Sequence, residues 1–122
     1  MNIGFDGKVV VVSGAGHGIG RAIAATFANL GATVHGCDLR PEPLAETAKL
    51  TGAVGKALDL TDRKAASAWI RDVEQATGQA VFVLVNNAGG VAGQVMHPID
   101  EISDEEWQVV FDVNVGAAMG LS

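Results

Sequence analysis

Val9 to Val12 form an unbroken run of four β-branched residues between Lys8 and Ser13. A strand with one wet face alternates apolar and polar residues, so a run without alternation belongs in a sheet covered on both faces. Directly after it, VSGAGHGIG at 12–20 places four glycines, Gly14, Gly16, Gly18 and Gly20, within seven positions. Glycine weakens helix and strand alike, so this stretch gives up local stability for bare backbone at a bend. Ile19, Ile23, Phe27 and Leu30 then recur at steps of three and four and Gly31 follows, which predicts a helix over 19–30 with a C-terminal stop.

The same unit repeats. ATVHGCD at 32–38 reads as a second strand ending on an acid, Pro41 opens a helix to about Thr51, and Val54 to Leu58 is a weaker third strand ending at Asp59. Thr61 is the expected N-cap of a helix with Ala65, Trp69, Ile70, Val73 and Ala76 on one stripe and Gly78 just past its end. VFVLV at 81–85 is a fourth strand. After a glycine-rich loop at 88–93, Ser103 and Glu106 form a capping box for a last helix, on which Trp107, Val110, Phe111, Asn114, Ala118 and Leu121 share a face. Alternating strands and helices predict an α/β fold, a parallel sheet with helices on both faces.

The chain of 122 residues is 48% hydrophobic, enough for one core, and no linker or repeat divides it, so a single domain over 1–122 is expected. A net charge of −6 with eight scattered Lys and Arg argues against a nucleic-acid partner. Cys37 stands alone and cannot close an internal disulfide, which fits a reducing cytoplasm. The N-terminal MNIGFDGK lacks a signal-type apolar core, and VFVLV is too short to cross a bilayer, so a cytoplasmic protein without a membrane partner is expected. His35 and Cys37 share a strand face, but with no C-x-x-C or further ligand cluster no metal site is expected. His97 beside Pro98 reads as an exposed turn, Trp69 and Trp107 as core residues, and Ser13 as part of the glycine bend rather than a nucleophile.

Bare amides at a strand-to-helix bend, backed by the positive end of a helix dipole, suit the pyrophosphate of a dinucleotide. The rival reading is a tight turn that lets a helix pack on the sheet. The spacing is G-x-x-x-G-x-G at Gly14, Gly18 and Gly20, and Ile19 stands where a strict G-x-G-x-x-G would place its third glycine. Asp38 lies 24 positions after Gly14. That is near the offset at which an acid accepts hydrogen bonds from the adenosine ribose and repels a 2′-phosphate, favouring NAD over NADP. Arg40, two positions on, keeps a phosphate-binding arrangement open.

Taken together, these residues resemble the N-terminal half of a classical short-chain dehydrogenase/reductase. The family's T-G-x-x-x-G-x-G is matched by SGAGHGIG with Ser13 for threonine, and its adenine-side acid by Asp59 followed by Leu60. Its N-N-A-G is matched by Asn86, Asn87, Ala88 and Gly89, and its helix asparagine by Asn114 in W-x-x-V-F-x-V-N-V. The resemblance implies a Rossmann-type doubly wound sheet, carried here through about four strands and the long helix after them. It implies an NAD(P)-dependent oxidoreductase that moves hydride between nicotinamide and an alcohol or carbonyl carbon. Cofactor contacts are implied for Gly14, His17, Gly18, Ile19 and Gly20 in the bend, for Asp38 and Leu39, for Asp59 and Leu60, and for Asn87, Ala88 and Gly89. Asn114 is implied in a proton relay; its rival reading is a core asparagine bonding a backbone carbonyl at a helix distortion.

The family's serine and Tyr-x-x-x-Lys pair lie beyond the helix asparagine. This sequence has no tyrosine, and Ser122 is too near Asn114 to be that serine. The chain is thus expected to be the cofactor-binding part of a longer enzyme, inactive alone, with VFVLV as a bare apolar edge that favours a homo-oligomer. The alternative is a non-catalytic nucleotide-binding or interaction module; a flavodoxin-like FMN protein would leave Asp38 unexplained. The small alcohol or carbonyl substrate is not legible, although Val91, Val95 and Met96 are candidates for one wall of its pocket.

Overall fold

A computed structural model describes residues 3–89 and 98–122. The valine run forms β1 (Val9–Ser13), buried at every position. With β2 (Thr33–Asp38), β3 (Val54–Ala57) and β4 (Val83–Val85) it makes a parallel sheet in the order β3-β2-β1-β4. Register runs from Val9↔Thr33 to Ser13↔Cys37 on one side of β1 and from Val10↔Val83 to Val12↔Val85 on the other. The chain steps outward from β1 through β2 to β3, then returns to the opposite flank. Connections therefore diverge between β1 and β4, and a doubly wound sheet opens a crevice at the carboxyl ends of its strands at such a point.

The unbroken apolar run of β1 is explained by two cores, one on each face. Val9 and Val11 join Cys37, Trp69, Val73 and Leu121 in one; Val10 and Val12 join Ala24, Val34 and Leu44 in the other. Helix α1 (Gly18–Asn29) and α2 (Pro41–Thr51) cover the second core, whereas α3 (Arg63–Thr77) and α5 (Ala117–Leu121) cover the first. Among the described residues no helix is long and apolar enough to cross a membrane.

Several local expectations are corrected. Ile19 is 72% exposed; Ile23 and Phe27 pack against the second core as expected, and Gly20 and Ala24 are the fully buried positions of α1, Gly20 because the helix begins against the Gly14 carbonyl. Thr61 does not cap α3. Its hydroxyl donates to the Asp59 carboxylate at 2.7 Å, and the neighbouring Asp62 accepts the Ala65 N–H at 3.1 Å as the cap. On α3 the buried stripe is Ala66, Trp69 and Val73, with Ala76 exposed.

The last helix is not continuous. Helix α4 (Asp104–Phe111) begins with the expected capping box, the Ser103 Oγ accepting from the Glu106 N–H at 3.1 Å and the Ser103 N–H donating to Glu106 Oε2 at 2.8 Å. A π-helical turn over Asp112–Gly116 then leads into α5. The wider turn slips the apolar phase by a residue, so Ala117 rather than Ala118 joins Leu121 in the core. Trp107, expected in the core, is 57% exposed and stacks on Phe111.

Candidate functional site

The crevice is built on the bend after β1. Gly14 has φ +66°, and a Cβ there would lie 3.0 Å from the Ala88 Cα, so the bend and the segment after β4 meet backbone to backbone. At Gly20 a Cβ would run into the Gly14 carbonyl oxygen, so this glycine lets α1 pack on the bend. Ser13 ties the two sides together. Its Oγ donates to the Val85 carbonyl at 3.3 Å and accepts from the N–H groups of Asn87 at 3.0 Å and Ala88 at 2.9 Å. The Asn87 side-chain amide donates to the Gly14 carbonyl at 3.2 Å, which satisfies a polar group placed straight after a strand; Asn86 is exposed.

At the tip of β2, Asp38 is buried, and both carboxylate oxygens accept backbone hydrogen bonds: Oδ2 from the Gly16 N–H at 2.9 Å and Oδ1 from the Arg40 N–H at 3.1 Å. Beyond β3, hydrogen bonds from the Thr61 hydroxyl and N–H hold the Asp59 carboxyl below the usual carboxylate range. These groups face a cavity of about 490 Å³. Gly14 and His17 line it from the bend, Asp38 and Leu39 from β2, Asp59 and Leu60 from β3, and Asn87, Ala88 and Gly89 from β4. Gly18, Ile19 and Gly20 are not part of that lining.

Asn114 sits in the π-helical turn, and its amide nitrogen donates to the Val110 carbonyl at 2.8 Å. A Cβ at Gly89 would run into the Asn114 Oδ1, so the amide abuts the rim of the cavity. On β2, burial pushes the Cys37 thiol up to about 12 and lowers His35 below its ordinary value. Among the described residues, no three His, Cys, Asp or Glu side chains gather as a metal-binding group. Val91, Val95, Met96 and His97 lie outside the described residues.

The model of the short chain dehydrogenase family matches residues 8–122. This chain belongs to that family. The short-chain dehydrogenase chain is 34% identical over 116 residues to the 2,3-dihydro-2,3-dihydroxybenzoate dehydrogenase of Bacillus subtilis, covering 91% of itself and 43% of that protein. To the 3-oxoacyl-[acyl-carrier-protein] reductase FabG of Escherichia coli it is 34% identical over 120 residues, covering 97% of itself and 48% of the reductase. Its fold superimposes on the citronellol catabolism dehydrogenase AtuB of Pseudomonas aeruginosa with a TM-score of 0.86 at 29% identity, covering 96% of this chain and 48% of that one. It spans about half the length of the relatives it matches.

Some residues that line this cavity were not read from the sequence as part of a site. Leu58, Thr61, Val113 and Ala117 line the cavity; Leu58 directly follows β3, Thr61 is brought in by the turn around Asp59, and Val113 and Ala117 by the helix distortion that leads into α5. Arg21 and Thr47 also went unmarked. They lie 26 positions apart on different helices, yet Arg21 Nε donates to Thr47 Oγ1 at 2.8 Å behind the glycine bend.

Proposed function

We propose that residues 1–122 form the NAD-binding domain of an alcohol or carbonyl oxidoreductase. The observation that carries this reading is Asp38: a carboxylate, held by two backbone amides, faces the same cavity as the glycine bend. The bend offers backbone rather than side chains at Gly14, where a Cβ would fill the approach to Ala88, and this suits a diphosphate. Gly14, His17, Gly18, Ile19 and Gly20 would meet the diphosphate, Asp38 and Leu39 the adenosine ribose, Asp59 and Leu60 the adenine, and Asn87, Ala88 and Gly89 the second ribose. When bound, NAD supplies the hydride acceptor. The fixed Asp38 carboxylate accepts the ribose hydroxyls and repels a 2′-phosphate, and Ser13 keeps the two walls in register.

Among the 122 residues there is no tyrosine, so the proton exchange that the resemblance assigns to Tyr-x-x-x-Lys needs residues other than these. Asn114, tied to Val110 at the rim, would hold one end of that relay. This chain alone is therefore expected to bind the cofactor without turnover of a small alcohol or carbonyl substrate. Exposed apolar side chains at Phe82, Trp107 and Met119 support a homo-oligomer, and the single buried Cys37 fits a reducing cytoplasm.

Calorimetric titration with NAD and with NADP tests the proposal. NAD is expected to bind at least about tenfold more tightly, and Asp38→Ser to bring the two within about threefold of each other. Equal affinity for both in the unsubstituted chain, or no binding of either, overturns it.

A further inference from the structure

The Ala15–Gly16 stretch of the bend is gripped from two sides. Toward the sheet, the Ala15 N–H donates to the Cys37 carbonyl at 2.9 Å and the Gly16 N–H to Asp38 Oδ2 at 2.9 Å. Away from it, the Gly16 carbonyl accepts from Arg21 Nη2 at 2.7 Å, and the Ala15 carbonyl from the Thr47 hydroxyl at 2.8 Å. Arg21 reaches further, with Nη2 also on the Pro43 carbonyl at 3.0 Å and Nε on Thr47 Oγ1 at 2.8 Å. One guanidinium thereby joins α1, the bend and α2. Thr47 is 1% exposed, and neither it nor Arg21 lines the cavity.

A loop with glycine at every second position has little conformational preference of its own. A peptide flip would turn a carbonyl toward the place where an anion is expected and would take the Gly16 amide off Asp38. Its orientation has to be imposed from outside, and the two helices supply the grip. The planar fork of arginine reaches a hydroxyl and two carbonyls at once, which an ammonium on a flexible stem does not reproduce. We infer that Arg21 and Thr47 are positioning residues: they hold the Ala15 and Gly16 carbonyls away from the cavity and so keep the Gly16 amide on the Asp38 carboxylate. The inference rests on the dinucleotide reading for its functional half and on the bend's geometry for the other.

The test compares the unsubstituted chain with Arg21→Lys, Thr47→Val and Thr47→Ser, at a temperature where circular dichroism shows each folded. Amide hydrogen exchange at Gly16 is read without ligand, and calorimetric affinity for ADP-ribose, which carries the diphosphate and both sugars, is read alongside. Gly16 is expected to exchange at least about tenfold faster in Arg21→Lys and Thr47→Val, with ADP-ribose bound at least about tenfold more weakly, while Thr47→Ser, which keeps the hydroxyl, restores both. Unchanged Gly16 exchange in Thr47→Val overturns the brace. Faster exchange with unaltered ADP-ribose affinity overturns its positioning role and leaves a purely structural contact. If the unsubstituted chain takes up no ADP-ribose, the dinucleotide reading fails, and the exchange rates alone decide whether the brace exists.

Discussion

Ser13 joins strands that share no loop, because one hydroxyl oxygen accepts from two successive amides after β4 and donates to the carbonyl that ends it. Ser13 is 1% exposed, so its hydroxyl takes its partners from the protein. Ser13→Ala leaves the Ala88 N–H without its acceptor, whereas the Asn87 N–H keeps the Val85 carbonyl at 3.1 Å, and an orphaned donor costs about 1–3 kcal/mol. A urea melt of that variant is expected to lose stability in this range, with Ser13→Thr near the starting value. A loss under half a kcal/mol for Ser13→Ala would show that the junction closes without the hydroxyl. Asp38 is the complementary case: an acid whose place at a strand tip was legible, but whose anchoring through Gly16 was not, since the hydrogen bond depends on how the bend is folded back.

At the scale of elements, the start of α3 separates two residues that look interchangeable in sequence. Thr61 and Asp62 are both good caps, and Asp59 decides between them by engaging Thr61 in its own turn. Asp62→Ala is therefore expected to cost about 1 kcal/mol in a thermal or urea melt, and Thr61→Ala less than half of that. The reverse order would restore Thr61 as the cap. Elements whose ends carry a backbone requirement were legible: Pro41 opens α2, and Gly78 closes α3 with φ of 66°, as Gly52 with φ of 78° closes α2. The burial of β1 was legible too, since four valines without a polar break fit only between two cores. The π-helical turn was signalled only by the rival reading of Asn114 as an amide on a backbone carbonyl at a helix distortion; its effect on the apolar phase was not legible, because an inserted residue leaves the spacing locally helical. The Arg21–Thr47 contact was hidden for a different reason: polar residues on helices read as solvated until the packing of α1 against α2 brings them together.

For the whole molecule, stability is tied to acid pH through two groups whose folded-state affinity for protons is lowered. Burial lowers His35 below the ordinary value of 6.5, so the unfolded chain binds that proton first, and the contribution is complete above this value and drains away as pH falls. Hydrogen bonds from Thr61 lower Asp59 below 3.8, which places its loss in a second, more acidic stage. The thermal midpoint is expected to begin falling just below neutrality and to fall again near pH 4, with His35→Gln flattening the first stage and Asp59→Asn the second. A midpoint that stays level between pH 7 and 5 in the unsubstituted chain would remove the histidine from this account.

The flanks of β1 are unequal in another respect. One helix links β1 to β2, whereas Val10 and its partner Val83 stand 73 positions apart. The cavity takes Gly14 from one side of that seam and Asn87 with Ala88 from the other, so it exists only while the seam is shut. Any molecule that touches both sides adds its own free energy to the closure, about 2.7 kcal/mol at a hundred times its dissociation constant. Occupancy then works as a clasp on the weakest-tethered strand, and losing the occupant loosens the sheet at the place where it was filled.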